Sequence, residues 1–310
     1  MIILFILMNL IFILFILFFP FIMLGVIKKT KAFWGGRKGV KLLQPYYDFI
    51  RLLKKEPVVS STTSFVFKLA PIIALATSIT AGLFIPTVLG YSIINMDFAF
   101  VIFAYILAFG KFFTVISAMD TGSSFEGMGA SREVCFTALI EPAFFIVMAS
   151  IGAVIGLHNF QTLNIFIANT DIIGICIIIL AIIALFIMML TETSRVPVDD
   201  PATHLELTMI HEVMVLDNSG CDLAFLSWAS AIKMVLISSL IGVLIIPFNL
   251  PLYFAIPAYV GLLVLIAFLI GTIESAIARF RMSHVFEFVF AMSAVALVIL
   301  SLITIRIYGG

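Results

Sequence analysis

Lys111, Glu141, Glu192, Lys233, Glu274 and Glu287 lie inside long apolar stretches or at their ends, and Glu206 lies in a loop between two of them. Charge in hydrocarbon is costly, so such groups face one another or a water-filled cavity rather than lipid. Ammonium and carboxylate groups in mutual reach either close helix contacts as ion pairs or form a path for an ion or a proton. All of these residues fall toward one side of the membrane, while the other half carries almost no titratable group. That distribution predicts a polar cavity that enters from one side and ends partway across. It also predicts a chain that does not form a complete pore by itself.

Long helices are needed to hold these groups at depth. Of the 310 residues, 63% are hydrophobic and 11% charged, with a mean hydropathy of +1.27, which excludes a soluble globular domain. Apolar runs occur at about 2–27, 65–89, 99–119, 135–157, 171–191, 223–247, 251–273 and 284–306. Each is long enough to cross ~30 Å of hydrocarbon at ~1.5 Å per residue. The expected fold class is all-α, a polytopic membrane protein of about eight transmembrane helices with interfacial amphipathic helices on one side. Residues 1–310 form a single integral membrane domain, and the first run reads as an uncleaved span because it lacks a basic n-region and a small-residue cleavage site.

Basic residues set the orientation. Lys and Arg crowd the loop after the first run, and Arg132, Arg195, Arg279 and Arg281 follow the third, fifth and seventh runs. The opposite loops hold no Lys or Arg, and only Arg306 lies on that side. The reading is a multi-pass protein of a prokaryotic cytoplasmic membrane, both termini outside, with inside loops at about 28–64, 120–134, 192–222 and 274–283. By helix rise, Lys111 is ~13 Å and Lys233 ~15 Å from the inner surface.

The inside loops carry further signals. From Leu42 to Lys55, apolar residues recur at three- and four-residue steps, the pattern of an interfacial amphipathic helix. Its basic face either presses on anionic lipid or docks a soluble partner. The docking candidates are Trp34, Arg37, Lys41, Gln44 and Tyr46, with Arg132, Arg195, Arg279 and Arg281 from the other loops. The Gly-rich stretch DTGSSFEGMGASRE lacks phosphate-loop spacing and reads as a tight turn. In the loop after the fifth run, Asp200 as N-cap, Pro201 at N1 and Gly220 as stop predict a second interfacial helix over about 201–218. On it His204, Thr208, His211 and Glu212 share a face, and Glu206 points elsewhere. HEVMV is not HExxH, and Cys135, Cys176 and Cys221 are far apart, so no metal or cluster site is expected in this chain. The net charge is zero, which makes no case for nucleic acid.

Four loop segments together, GRKGVKLLQPYYDFIRLLKKEP, DTGSSFEGMGASREV, ETSRVPVDDPATHLELTMIHEVMVLDNSG and ESAIARFRMSHVFEF, resemble the membrane-anchor subunit of energy-converting nickel–iron hydrogenases of the formate hydrogenlyase type. That subunit is similar to the subunit 1 family of respiratory complex I. The complex I version carries an ETNRxPFDLxExExELVxGxxxEYSG-like loop, whose outline Glu192, Arg195, Pro197, Asp199, Glu206 and Gly220 keep. HLELTMIHEVMVLDNSG looks like the hydrogenase branch. The resemblance implies an anchor and ion-coupling subunit without a redox centre of its own. Its partners would be the large and small hydrogenase subunits on the cytoplasmic face, which bear the nickel–iron centre and iron–sulfur clusters, and antiporter-like membrane subunits. The family's inner-half carboxylates map onto Glu141, Glu192, Asp199, Glu206 and Glu212, with Glu274 beside them. Lys111 and Lys233 complete the ion-path candidates. A quinone-site subunit of a complex I-type oxidoreductase is the alternative. The absence of a visible repeat and the empty outer half oppose an autonomous transporter.

Overall fold

The computed structural model describes residues 2–86, 92–155, 160, 172–200, 209–246 and 251–308. Among them the helices are α1 (Ile2–Trp34), α2 (Gln44–Leu53), α3 (Phe65–Gly82), α4 (Ala99–Asp120), α5 (Ser124–Ile155), α6 (Ile172–Glu192), α7 (a single turn, His211–Met214), α8 (Gly220–Ile245), α9 (Leu252–Ala276) and α10 (Met282–Tyr308). No strand occurs among the described residues. Eight of the helices are long and apolar enough to cross a membrane, as the hydropathy pattern predicts, and the chain is a polytopic all-α membrane protein.

α8 is the hub. It is enclosed along most of its length and packs against α1, α2, α3, α6 and α9. From it the contacts run α3 to α4, α4 to α5, α5 to α10 and α10 to α6, which returns to α8. The interior of this arc is where Lys111, Glu192 and Lys233 are buried. Phe103, Phe136, Phe144, Met189 and Ile237 are buried in the same core. The outward faces are apolar because they meet hydrocarbon, as at Tyr105, Phe109 and Phe112 of α4.

The amphipathic helix α2 forms where the three- and four-residue periodicity predicts it, opened by Pro45 in its first turn. Its aromatic face closes on α1 and α8. Phe49 lies 4.8 Å and Phe21 5.8 Å, centroid to centroid, from Trp228, whose indole N–H donates to the Leu17 carbonyl at 3.0 Å. The chain after α2 is stitched to the start of α8: the Val58 N–H donates to Ser219 Oγ at 2.7 Å.

Three expectations need correction. The Gly-rich segment is a tight turn only at 121–123, with Gly122 at φ +70°: α5 begins at Ser124, so Gly127 and Gly129 are helical. Gly129 allows that helix to approach Ile210 and Val213, which a Cβ would strike. Gly220 does not stop a helix. It begins α8 with φ +56°, pressed against the backbone of Lys55 and Glu56, where a side chain has no room. Over 209–218 the chain makes only the turn α7, not a continuous interfacial helix. Residues 201–208, with His204, Glu206 and Thr208 and the helix start at Pro201, lie outside the described residues.

Candidate functional site

α5 carries Glu133, Thr137 and Glu141 at successive four-residue steps, so they line one face of the helix. That face looks toward the middle of α4 and the end of α6. Lys111 Nζ lies 2.5 Å from Glu192 Oε1 and 3.2 Å from Glu133 Oε1, and donates to Thr137 Oγ1 at 3.0 Å. All three charged side chains are less than a tenth exposed. Lys233 of α8 is buried too, and the charges acting on it are those of Glu192, Lys111 and Glu133. Glu141 feels Lys111 and Glu192 from the half-buried end of the row, and Glu192 also feels His211. Four helices therefore contribute two ammonium and two carboxylate groups to one enclosed node, with a third carboxylate beside it.

A second set of ion pairs ties the connections together on the basic side. Glu274, its side chain fully buried, sits 2.9 Å from Lys31 and 3.3 Å from Arg195. Asp199, also fully buried, pairs with Arg279 Nη2 at 3.0 Å and accepts the backbone N–H groups of Asp200, Ile210 and His211 at 2.9, 2.9 and 3.1 Å. Arg132 donates to the Met209 carbonyl at 2.9 Å. The segment from Glu192 to Asp199 thus joins both systems: Glu192 belongs to the node, while Arg195 and Asp199 grip the ends of α9 and the turn before α10.

Beside this segment is a cavity of about 300 Å³ between α1, α2 and α8. Thr193, Arg195, His211 and Glu212 supply polar walls, and Leu24, Leu52 and Leu226 apolar ones. Lys111, Glu141, Glu192 and Lys233 are not in its lining. The expected pocket lined directly by the buried acids and amines is in this structure a cavity and a node side by side, with Thr193 next to Glu192 as the link.

The ion-path candidates divide accordingly. Lys111, Glu141, Glu192 and Lys233 come together, Asp199 and Glu274 form the second system, and Glu212 lines the cavity. Glu287 stays apart, exposed and bonded to His284 at 2.9 Å. Among the docking candidates, Arg37, Lys41 and Arg281 are exposed, and Trp34 is exposed with its N–H on Thr272 Oγ1 at 3.2 Å. Gln44 is turned to Asp48 at 2.8 Å, Tyr46 packs edge-on against Phe21, and Arg132, Arg195 and Arg279 are engaged inside the chain. Glu133 and Thr137 are not among the sequence candidates: Glu133 precedes the apolar run that opens at about 135, and Thr137, inside it, carries no charge. Their spacing from Glu141 is the signal that finds them.

Residues 7–305 match the NADH dehydrogenase family model, and the chain belongs to that family. It is 27% identical to hydrogenase-4 component C of Escherichia coli over 285 residues, 88% of each chain. It is 25% identical to NADH-ubiquinone oxidoreductase chain 1 of Triticum aestivum over 269 residues, 82% of this chain and 81% of the other. The fold is shared with a chain in the structure of the membrane-bound sulfane sulfur reductase, an archaeal respiratory membrane complex, with a TM-score of 0.79 and 17% identity over 95% of this chain and 97% of that one. The kinships expected from the loop motifs, to hydrogenase membrane subunits and to complex I subunit 1, are both met.

Proposed function

We propose that this chain is the membrane-anchor and ion-coupling subunit of a membrane-bound nickel–iron hydrogenase complex. The observation that carries the reading is the enclosed node of Lys111, Glu133, Glu192 and Lys233, joined through Thr193 to a cavity near the basic face. Kinship to hydrogenase-4 component C along nearly the whole chain supports it. In this reading the basic face is cytoplasmic, both termini are outside, and the soluble large and small subunits dock there on Trp34, Arg37, Lys41 and Arg281. Antiporter-like membrane subunits lie alongside. The nickel–iron centre and iron–sulfur clusters belong to the docked subunits. The cysteines of this chain do not fit a cluster, since Cys135, Cys176 and Cys221 stand on three different helices and two of them face outward.

The chain's own residues would act electrostatically. A change of charge or loop position at the docked module acts first on Arg195, Asp199 and His211. The same segment ends in Glu192, so a shift there alters how Lys111 divides between Glu192 and Glu133. Reprotonation then passes along Glu141 and Lys233 to neighbouring membrane subunits. Purification of the native complex in mild detergent tests the assignment: a nickel-containing large subunit among the co-purifying chains is the expected result, and a complex without one refutes it.

One observation favours a second reading. The cavity's mix of polar and apolar walls suits an amphipathic ring with an apolar tail, and NADH-ubiquinone oxidoreductase chain 1 is a relative. If the complex reduces a quinone, Ser230→Phe, which fills the cavity, raises the KM for quinone and spares electron transfer from the donor to an artificial acceptor.

A further inference from the structure

The ammonium of Lys111 is held the way a small hard cation is held. Its three contacts are oxygens: the Glu192 and Glu133 carboxylates at 2.5 and 3.2 Å and the Thr137 hydroxyl at 3.0 Å. Such cations choose oxygen ligands of this kind. The ligands come from α5 and α6, while the ammonium reaches in from α4. A second buried ammonium lies within reach of the same charges. Lys233 is 9% exposed and has no hydrogen bond or ion pair among the described residues, and the charges acting on it are Glu192, Lys111 and Glu133. With Glu133, Glu192, Lys111 and Lys233 all ionised, the set is neutral. Removing one ammonium leaves a single negative charge, which one monovalent cation restores. Glu141 and His211 are the other titratable groups facing the set.

We propose that Glu133, Thr137 and Glu192 form a monovalent-cation site whose resident occupant is the tethered ammonium of Lys111. The tether keeps sodium out, which leaves the proton as the ion this node exchanges. The site exists independently of the coupling role, and only its use in coupling rests on the function proposed above. Shortening the tether opens the site to sodium.

The test is thermal unfolding of the purified complex in nanodiscs, in NaCl or in choline chloride at equal ionic strength. The wild type unfolds at the same temperature in both salts. Lys111→Ala gains a sodium-dependent rise of about 3 °C by ~100 mM NaCl. Adding Glu133→Gln to it abolishes that rise. Identical curves for Lys111→Ala in the two salts overturn the proposal, as does an equal sodium shift in the wild type. Lys111→Gln, which keeps a polar side chain in place, is measured alongside. Failure of both single variants to assemble in sodium as well as in choline also counts against the site. A sodium shift in Lys111→Ala with unimpaired ion coupling removes the coupling reading and leaves the site standing.

Discussion

Lys111 and Glu192 form the closest ion pair of the node, yet their removal should not be equivalent. Lys111→Met leaves Glu192 and Glu133, in a region less than a tenth exposed, with Thr137 as a weak donor and only Lys233, which is hydrogen-bonded to neither, to balance one of the two charges. Breaking a buried pair in that way costs about 3–5 kcal/mol. Glu192→Gln leaves one positive charge in excess, on Lys233, but Lys111 keeps Glu133 at 3.2 Å and Thr137 at 3.0 Å, and the amide oxygen still accepts a hydrogen bond. Its cost is about 1.5–3 kcal/mol, that of a lost charge-assisted bond. The double variant leaves only Glu133, balanced by Lys233, so it is milder than Lys111→Met alone. Thermal unfolding followed by tryptophan emission reads the order, since Trp228 joins α1, α2 and α8. The expected drops are ~6 °C or more for Lys111→Met and ~4 °C for Glu192→Gln. The reasoning fails if Lys111→Met costs no more than Glu192→Gln, or if the double variant equals the sum of the two.

Asp199→Ala removes an ion-pair partner of Arg279 and the acceptor of three backbone N–H groups, so hydrogen exchange over 209–214 should rise at least tenfold while α8 stays protected. At Gly25 of α1 any Cβ meets the Leu42 carbonyl oxygen, so Gly25→Ala displaces the chain leading into α2 at a cost of about 1–3 kcal/mol, measurable as a lower Tm. Arg37→Glu with Lys41→Glu, both exposed, leaves the membrane domain folded but weakens retention of soluble subunits, with the loss relative to wild type greatest near ~50 mM salt and shrinking towards ~300 mM in co-purification.

The eight spans were legible because each apolar run exceeds what a soluble helix needs, and α2 because its aromatic and aliphatic residues keep helical steps. The joint burial of Lys111, Glu192 and Lys233 followed from the cost of charge in hydrocarbon. Glu133 was hidden because hydropathy marks where lipid begins, not where a helix begins. α5 runs on through Gly129 to Ser124, carrying polar residues that the hydropathy pattern assigns to a turn. Gly220 misled for a related reason: a glycine with positive φ ends many helices, but here the close approach of Lys55 and Glu56 requires it at a helix start. The inward turn of Arg195 and Arg279 was not legible at all, since their partners Glu274 and Asp199 are set by packing between elements distant in sequence.

Under the proposed function, the buried node couples redox turnover to ion movement. Reconstituting the whole complex in liposomes, with hydrogen evolution and the ion gradient recorded together for wild type, Glu192→Gln and Glu141→Gln, tests it most directly. The expected result is hydrogen evolution from an artificial donor within about twofold of wild type, with the gradient per hydrogen released cut by about tenfold or more, since coupling free energies near ~1.4 kcal/mol already give that factor. A gradient per hydrogen equal to wild type in both variants would contradict the account.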